Sequence, residues 1–434
     1  MRSFLQHYGM LVVLLALGIC FSVATLQEQP TTGEAAGRLL AAQIWAGHVL
    51  VVARGTTDDI AFANALADEL KKKNVSVEGL VTGEPRDARK ALTDLNAKGQ
   101  KLDTIALNQT VSHWILFDNV ATDFPALGSP LIVKPKPVKW PVFLNRENLV
   151  NIANQIAVIA IVAIGMTMVI ITGGIDLSVG SLIALSAVIV ALIVRDYAGA
   201  EHASAAGMFM AGIGAMAACG LVGAGTGVVV TRFGIPPFIV TLAVMLVASG
   251  LAYLLAQGQS VYQVPESFIW LGRGADIAGV PNAVLLMLVL YALAHLFMKH
   301  TAMGRYLYAV GGNKEAATVS GLRVNLVLVF AYTISGLLAG LGGVIMASQL
   351  RSGSPTYGQM YELYVIAAVV VGGASLSGGR GRMFGTLIGA LIIAVIQNGM
   401  NLTNIESYTQ KVVLGLVILG AVMLDQLKAG RARH

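Results

Sequence analysis

The sequence has few charged residues and few cysteines, and each scarcity excludes a class of protein. Charged residues make up 12% of the 434 positions, against about 25% in a typical soluble domain. Cys20 and Cys219 both lie inside apolar runs, which argues against a disulfide framework or a cysteine metal site. The basic residues form no single soluble patch, although the net charge is +6, so nucleic acid is not an expected partner.

Motifs for enzyme chemistry are also missing. The sequence has no GxxxxGK[ST] loop for nucleotide phosphates and no HExxH zinc motif. It has no clustered cysteine and histidine set and no convincing nucleophile elbow. We therefore expect no metal, no cofactor and no catalytic residue in this chain.

Apolar residues, by contrast, make up 56% of the sequence. Residues 1–28 and 143–427 are almost continuously apolar, whereas residues 29–142 are polar enough to be soluble. A membrane-spanning helix needs about 20 mainly apolar residues. The pattern predicts a mainly α, polytopic membrane protein of about ten helices, at residues 9–26, 150–172, 176–194, 205–230, 236–256, 283–299, 325–348, 361–373, 384–401 and 409–426. The eighth is short, and either extends into the glycine-rich loop after it or crosses only part of the bilayer.

The loop charges predict the orientation of these helices. Cytoplasmic loops carry the excess of lysine and arginine. With the N-terminus inside, four basic residues lie in short outside loops, namely Arg195, Arg273, Arg351 and Lys411. Eleven lie inside, namely Arg2, Arg232, Lys299, Arg305, Lys314, Arg323, Arg380, Arg382, Lys428, Arg431 and Arg433. Both termini are therefore expected in the cytoplasm, with residues 428–434 as a tail and residues 29–142 outside.

Residues 1–28 allow two interpretations. They form a retained first transmembrane helix, or residues 1–26 are a cleaved signal peptide. The second interpretation rests on Arg2 before the apolar run and on Ser22-Val23-Ala24, which resembles a cleavage site. Either way the remaining helices keep their orientation.

The polar insert, residues 29–142, has the alternation of a small parallel α/β domain. Strands are predicted at 48–53, 75–83 and 102–108, and helices at 57–73 and 85–99. Thr57 or Asp58 is predicted to cap the first helix. Val133–Pro141 reads as a proline-rich, semi-rigid linker.

Part of the insert resembles a known ligand-binding fold. The run VTGEPRDARKALTDLNAKGQKLDTIALN resembles part of one lobe of the periplasmic sugar-binding proteins. The alternative is a generic flavodoxin-like unit without a ligand. The insert is about half of a two-lobed protein, so a complete sugar clamp is not expected.

Residues 170–181, IITGGIDLSVGS, interrupt an apolar run. Backbone polar groups inside a bilayer must be satisfied within the protein, so such a break belongs where protein or water can satisfy them. The glycines supply backbone freedom, and Asp176 and Ser178 are predicted to cap the helix that restarts. Asp176 has a second interpretation, as part of a substrate path. The residues of this helix-break motif are Gly173, Gly174, Asp176, Ser178 and Gly180.

A second polar segment, residues 303–325, contains GGNKEAATVSGL. This pattern predicts a short helix at Lys314–Ser320 that Gly321 ends. Without a functional role, this segment would be an ordinary capped helix in a loop.

Four segments in this order resemble the ribose-type permease subunits of ATP-binding-cassette (ABC) importers. They are GMTMVIITGGIDLSVGS, TRFGIPPFIVTL, GRYLYAVGGNKEAATVSGL and AAVVVGGASLSGGRGRMFGTLIGALI. The resemblance covers residues 1–28 and 143–427. It departs from the family at the insert, where the family usually has a short connection.

The resemblance implies the membrane subunit of an ATP-driven importer for a monosaccharide, such as ribose, xylose or a related hexose, in a bacterial inner membrane. Two permease subunits would pair and engage two cytoplasmic ATPase subunits, which hold the ATP and Mg²⁺. A periplasmic binding protein would deliver the sugar. The positions that match the family's ATPase-coupling helix are Asn313, Glu315, Ala316, Ala317 and Gly321.

In that family the translocation path lies between the two permease subunits. Polar side chains on otherwise apolar helices are candidates to line it, namely Asn154, Gln155, Thr241, Gln397, Asn398 and Asn401. Asparagine and glutamine at this depth can equally hold helices together.

Three other functions are weighed against this one. A branched-chain amino-acid permease of the same superfamily is disfavoured by GGIDLSVG, which resembles the sugar branch. A membrane sensor with an extracytoplasmic ligand domain is disfavoured by the short tail after Asp425. An ion-driven carrier would normally show paired carboxylates inside the membrane, whereas Asp176 and Glu362 lie near loop ends. We hypothesise that the insert docks the binding protein or replaces part of it.

Overall fold

The computed structural model describes residues 2–431, with side chains described from residue 9 to residue 423. The chain separates into two compact units. The membrane unit comprises residues up to Thr25 and from Val142 onward, and the α/β unit comprises Leu26–Pro141. The predicted tail 428–434, with Lys428, Arg431 and Arg433, and the side chain of Arg2 lie outside the described side chains.

The described residues form helices α1 to α17 and strands β1 to β6. In chain order the helices are Arg2–Ala24, Gly33–Ala41, Thr57–Lys72, Pro85–Ala97, Val120–Asp123, Arg146–Ile171, Val179–Asp196, Ala205–Phe233, Pro237–Leu255, Trp270–Arg273, Asn282–His300, Ala302–Gly312, Lys314–Val319, Val324–Leu350, Tyr361–Val371, Met383–Leu402 and Ser407–Arg431. The strands are Leu26–Gln29, His48–Ala53, Ser76–Thr82, Thr104–Leu107, Leu131–Val133 and Val138–Pro141.

Within the described chain, seven helices are long and apolar enough to cross a membrane, namely α6, α7, α8, α9, α11, α14 and α16. Three shorter apolar helices are Gly9–Ala24 within α1, α15, and Ser407–Met423 within α17. The prediction of a mainly α, multi-pass membrane protein is therefore confirmed. The number of ten spans stays a prediction.

Small residues let the helices of the membrane unit approach each other closely. A Cβ atom on Gly223 of α8 would meet the carbonyl oxygen of Tyr332, and one on Gly336 of α14 would meet the carbonyl oxygen of Cys219. Such contacts matter in a bilayer because helix association there depends on van der Waals packing. Helix α6 lies at the centre, 89% buried over its most apolar stretch, whereas α9 is 22% buried and lies at the periphery.

The chain between α14 and α15 is not helical. Residues 351–360 start and end in left-handed backbone, with φ of 52° at Arg351 and 65° at Met360. They run beside α7, because a Cβ on Gly353 would meet the carbonyl oxygen of Ala187 and one on Gly358 would meet that of Gly180. We call residues 351–360 the unwound segment.

Helix α15 corresponds to the eighth predicted span. Its 11 residues end at Val371, before the glycine-rich loop. At about 1.5 Å per residue this helix is about half as long as the hydrocarbon core is thick. The helix itself therefore does not extend into the glycine-rich loop, and its crossing of only part of the bilayer stays a prediction.

The α/β unit has a four-stranded parallel sheet in the order β3-β2-β4-β5. One apolar cluster, containing Leu40, Phe62 and Leu66, packs on one side of it. A second cluster, containing Leu92 and Phe117, packs on the other. The strand and helix order from β2 to β4 follows the predicted alternation, because the local periodicity decides it.

Two local predictions for this unit are wrong. The N-cap of α3 is Thr56, not Thr57 or Asp58, and its hydroxyl accepts a hydrogen bond from the backbone N–H of Asp59. The predicted linker contains strand β6, whose Val138–Pro141 pairs antiparallel with Leu26–Gln29 of β1. This pairing is compatible with proline because both strands lie at an edge. Helix α2 and strand β5 were not predicted.

An exposed ion pair joins β2 to β3. His48 Nδ1 lies 2.6 Å from Glu78 Oε1, and Ser76 donates to the same oxygen. The hydrogen bond to Glu78 raises the pKa of His48 above its ordinary value. The hydrogen bonds from His48 and then Ser76 lower the pKa of Glu78. The pair is therefore charged between the two pKa values and loses its attraction as the pH leaves that window on either side.

Candidate functional site

The break between α6 and α7 is a compact turn fastened to neighbouring helices. Gly173 has φ of 81°, a conformation that suits glycine. A Cβ on Gly174 would overlap the Tyr332 hydroxyl of α14. That hydroxyl is buried and has no hydrogen-bond partner among the described residues. The predicted glycines thus serve backbone conformation and close approach.

Asp176 is the centre of this break. It is 2% exposed, and its Oδ1 accepts hydrogen bonds from the backbone N–H of Ser178 at 3.0 Å and from the Ser178 hydroxyl at 2.6 Å. Its Oδ2 accepts from the Ser335 hydroxyl of α14 at 2.7 Å. Ser178 occupies the N-cap position with helical rather than extended backbone and makes no side-chain cap, while its hydroxyl donates to Asp176. The cap predicted from Ser178 is therefore wrong, and Asp176 ties the start of α7 to α14.

A second helix is tied to the same break. Thr241 of α9 is fully buried, and its hydroxyl lies 3.3 Å from the carbonyl oxygens of Ile175 and Phe238. The break is thus connected by side-chain hydrogen bonds to both α14 and α9. A displacement of the break would therefore disturb the hydrogen bonds to both helices.

The polar segment after α11 contains two helices, α12 and the short α13. Asn313 caps α13, its Oδ1 accepting from the backbone N–H of Ala316 at 2.8 Å. Gly321 follows with φ of 83°. Glu315 and Ala316 are exposed, whereas Ala317 is buried. The short helix therefore presents one polar, accessible face and holds its other face against the protein.

The end of α12 meets the break at residues 172–178 and the glycine-rich loop at residues 372–382, between α15 and α16, which we call the second helix break. The backbone N–H of Gly379 donates to the carbonyl oxygen of Ile171 at 2.8 Å. A Cβ on Gly311 would overlap that same oxygen and the Gly379 nitrogen. The Tyr308 hydroxyl donates to the Gly381 carbonyl at 2.9 Å. We call the contact of Ile171, Gly311 and Gly379 the glycine junction; it joins the short helix α13 to both helix breaks.

A cavity of about 330 Å³ lies where α7, α9 and the unwound segment meet. Its hydrogen-bonding side chains are Ser181, Ser249, Tyr357, Gln359 and Glu362, and no lysine, arginine or histidine lines it. We call it the polar cavity. A Cβ on Gly180 would overlap the Glu362 carboxylate and the Gly358 carbonyl oxygen, so Gly180 leaves room for this wall.

Another cavity, of about 380 Å³, is lined by apolar side chains of α7, α8 and α9, among them Leu185, Val222 and Val247. It offers no hydrogen-bonding side chain with which to recognise a polar solute. The polar cavity is therefore the better candidate for a solute site.

The predicted path residues lie elsewhere. Asn154 accepts from Gln349, and Asn148 and Asn398 exchange hydrogen bonds of 3.1 and 2.8 Å. None of the six predicted path residues lines the polar cavity, as far as the described residues show. The six are Asn154, Gln155, Thr241, Gln397, Asn398 and Asn401. The hydrogen bonds of Asn154 and Asn398 join helices; the role of the six residues in a path stays a prediction.

The residues that sequence reasoning missed are Tyr357, Gln359 and Glu362. A signal was present in SPTYGQMYE, residues 354–362, a polar run directly before an apolar one. The sequence alone predicts a loop here, between the spans at 325–348 and 361–373. Its position beside α7 depends on the fold, because Gly353 and Gly358 must both approach the α7 backbone.

Comparisons with known proteins agree with this architecture. The family model described as "branched-chain amino acid transport system / permease component" matches residues 148–422. The ribose import permease protein of Escherichia coli (strain K12) is 44% identical over 292 residues, which are 66% of this chain and 88% of that protein. The ribose import permease protein of Bacillus subtilis (strain 168) is 40% identical over 331 residues, 74% of this chain and 98% of that protein.

The D-allose transport system permease protein of Escherichia coli (strain K12) is 35% identical over 285 residues, 66% of this chain and 85% of that protein. No solved structure matches the chain. Permease subunits of ABC importers are not enzymes themselves, and they work with ATPase and substrate-binding partners. The chain belongs to the ribose-type family of permease subunits of ABC importers.

Proposed function

We propose that this chain is the membrane subunit of an ATP-driven importer for a monosaccharide, either a pentose such as ribose or xylose, or a related hexose. Its relatives are named for ribose and D-allose. The polar cavity supports a neutral solute, since hydroxyl, amide and carboxylate groups line it without a basic residue. A branched-chain amino acid would require a partner for its carboxylate as well, and the cavity offers no cation for one.

The observation that carries this proposal is the unwound segment beside the polar cavity. Non-helical backbone at membrane depth is tolerated where protein buries it or where it lines a water-filled cavity. Discontinuous helices form the substrate sites of many transporters. Tyr357, Gln359 and Glu362 stand on or next to such a segment. We therefore assign the solute path to this cavity rather than to the helix-holding asparagines.

Coupling to ATP is assigned to α13 and the glycine junction. The exposed Glu315 and Ala316 would contact an ATPase subunit. The junction would pass a displacement of α12 to both helix breaks, because packed backbone contacts move as rigid bodies. ATP and Mg²⁺ would stay on the ATPase, so no cofactor is assigned to this chain.

A second permease subunit, identical or not, is proposed to lie against α9. Helix α9 is 22% buried over its most apolar stretch and contributes Met245 and Ser249 to the polar cavity. A pair of subunits would then enclose two such cavities around one path, and lipid would cover the remaining apolar faces. The excess of inside basic residues supports an orientation with residues 29–142 outside. We assign a bacterial inner membrane because the relatives are bacterial import permeases, so a periplasmic sugar-binding protein would dock on that side.

The test is uptake of labelled D-ribose by vesicles that contain this chain with its ATPase and binding protein. Gln359→Ala should raise the KM for D-ribose about tenfold, the effect of losing about 1.4 kcal/mol, and leave ATPase co-purification intact. Gln259→Ala is the matched control, because Gln259 is exposed and lies outside the cavity.

Three results would contradict the proposal. Unchanged KM in Gln359→Ala removes the polar cavity from the path. Uptake that continues without ATP favours an ion-driven carrier, and a chain that never transports but signals favours a sensor.

A further inference from the structure

We propose that the α/β unit binds a small, neutral polyhydroxy compound at the carboxyl edge of its parallel sheet. A cavity of about 270 Å³ lies at this edge. Its lining combines the chain after β1, the first turns of α3 and the loop after β4. We call it the insert cavity.

The cavity lies where the sheet topology predicts a crevice. After β2 the chain crosses to β3 on one side, and it then returns to β4 on the other side of β2. In open parallel sheets, ligands bind outside the carboxyl ends of the strands at such a reversal of strand order. Asp59, in the first turn of α3 after β2, and Asn108, directly after β4, both line the cavity.

In one wall of the cavity, both Asp59 oxygens and the Asn108 side-chain oxygen accept hydrogen bonds from the protein. Asn108 donates to one oxygen of the buried Asp59, and the Thr56 hydroxyl donates to the other at 2.8 Å. The Asn108 side-chain oxygen accepts from the backbone N–H of Val111 at 3.0 Å. These groups hold the two loops in place before any ligand arrives, which lowers the ordering cost of binding.

A second wall carries a group that still needs a partner. The side-chain oxygen of Gln109 is buried and accepts no hydrogen bond among the described residues. Buried polar groups are normally paired, so such an atom requires an explanation. Gln109 lines the insert cavity, and a hydroxyl donor from a bound molecule would satisfy its oxygen.

The lining selects the chemical class of the ligand. An anion is disfavoured, because Asp58 and Asp59 occupy the first turn of α3 and no lysine or arginine lines the cavity. A metal is disfavoured, since the described residues contain no group of three or more candidate ligands. The rest of the lining comprises threonine hydroxyls, two amides, the buried Phe62, Pro30 and the imidazole of His113, whose ring nitrogens can also hydrogen-bond to a hydroxyl. Hydroxyls that both donate and accept, on a body with an apolar face, match this set.

The volume of the insert cavity also indicates a small ligand. Ligand pockets for drug-sized molecules measure about 300–1,000 Å³, and this cavity is slightly below that range. A monosaccharide or a similar polyol is therefore the expected occupant. The site itself is independent of the proposed function; the choice of sugar probes rests on it.

The experiment is hydrogen exchange with mass spectrometry on the full chain in detergent, without a binding protein or an ATPase. D-Ribose and D-allose are added separately at millimolar concentration. We expect slower exchange in peptides that cover residues 56–62 and 108–113. Gln109→Leu should weaken this binding about tenfold, because it removes the acceptor at nearly constant size. Gln43→Leu is the matched control on the exposed surface of the same unit.

The inference is overturned if neither sugar slows exchange. It is also overturned if a sugar protects Gln109→Leu as strongly as the wild type while the variant keeps the wild-type exchange pattern elsewhere. Equal protection by inorganic phosphate or by putrescine overturns the neutral class. The outcome is distinguishable from that of the proposed function: protection with no ATP-dependent uptake contradicts only the transporter, and uptake with no protection contradicts only this site.

Discussion

Two neighbouring glycines at the end of α12 give a matched test of the glycine junction. Gly311 and Gly312 both lie in α12, and neither has a positive φ. A Cβ on Gly311 would overlap the Ile171 carbonyl oxygen and the Gly379 nitrogen, whereas a Cβ on Gly312 would have no atom within 4 Å. Gly311→Ala and Gly312→Ala therefore make the same chemical change in a closed and an open position.

The expected magnitudes follow from these contacts. An alanine in place of glycine within a helix gains up to about 1 kcal/mol, which Gly312→Ala should keep in part. At Gly311 the added methyl group overpacks two backbone groups, at about 1–3 kcal/mol. It also displaces the Gly379 to Ile171 hydrogen bond, which contributes about 0.5–1.5 kcal/mol. The net result for Gly311→Ala is a destabilisation of about 0.5–4.5 kcal/mol.

The assay measures three quantities on the reconstituted transporter: the thermal unfolding temperature, ATP hydrolysis and D-ribose uptake. Gly311→Ala should lower the unfolding temperature and reduce the sugar moved per ATP hydrolysed, because the junction links α13 to both breaks. Gly312→Ala should leave the sugar moved per ATP unchanged and should keep or slightly raise the unfolding temperature. A folded Gly311→Ala variant with a wild-type ratio of uptake to hydrolysis would refute the coupling argument, and equal unfolding temperatures in both variants would refute the packing argument.

Further predictions concern three hydrogen-bonded groups. Asp176→Asn should lower the free energy of unfolding by about 1–3 kcal/mol, because an amide offers one acceptor oxygen for three donors; a wild-type melting curve would contradict this. In a double-mutant cycle with Asn148→Ala and Asn398→Ala, melting should show a coupling of about 0.5–2 kcal/mol; no coupling, with an altered KM for sugar, would instead place Asn398 in the path. The protection of β2 and β3 amides, measured as exchange relative to the intrinsic rate at each pH, should fall as the pH rises through the raised pKa of His48, because the pair with Glu78 then loses its charge. His48→Gln should lack this dependence; a persisting one would contradict the assignment.

Local patterns in the sequence were sufficient for several elements of the site. The helix predicted at Lys314–Ser320 is found at Lys314–Val319, because its cap Asn313 and the glycine at 321 act within one turn. The glycines and aspartate of the break at 173–178 were recognisable for the same reason. The order of motifs was specific enough to identify the family, since the comparisons give relatives at 40–44% identity.

Contacts between distant residues could not be read in this way. The Asn148 to Asn398 pair spans 250 positions and the Asp176 to Ser335 contact spans 159. Nothing in the local sequence distinguishes an amide that holds two helices from one that faces a solute. The predicted path residues therefore rested on polarity alone.

The sequence by itself determined the membrane class, the family, the strand and helix order between β2 and β4 and the short helix α13, because periodicity, caps and glycines act over a few residues. Only the tertiary structure decided that residues 351–360 unwind beside α7, that Gly311 lies at a junction while Gly312 does not, and that Gln109 faces a cavity. The reason is physical: whether a glycine is required or a polar atom is satisfied depends on which distant backbone lies against it.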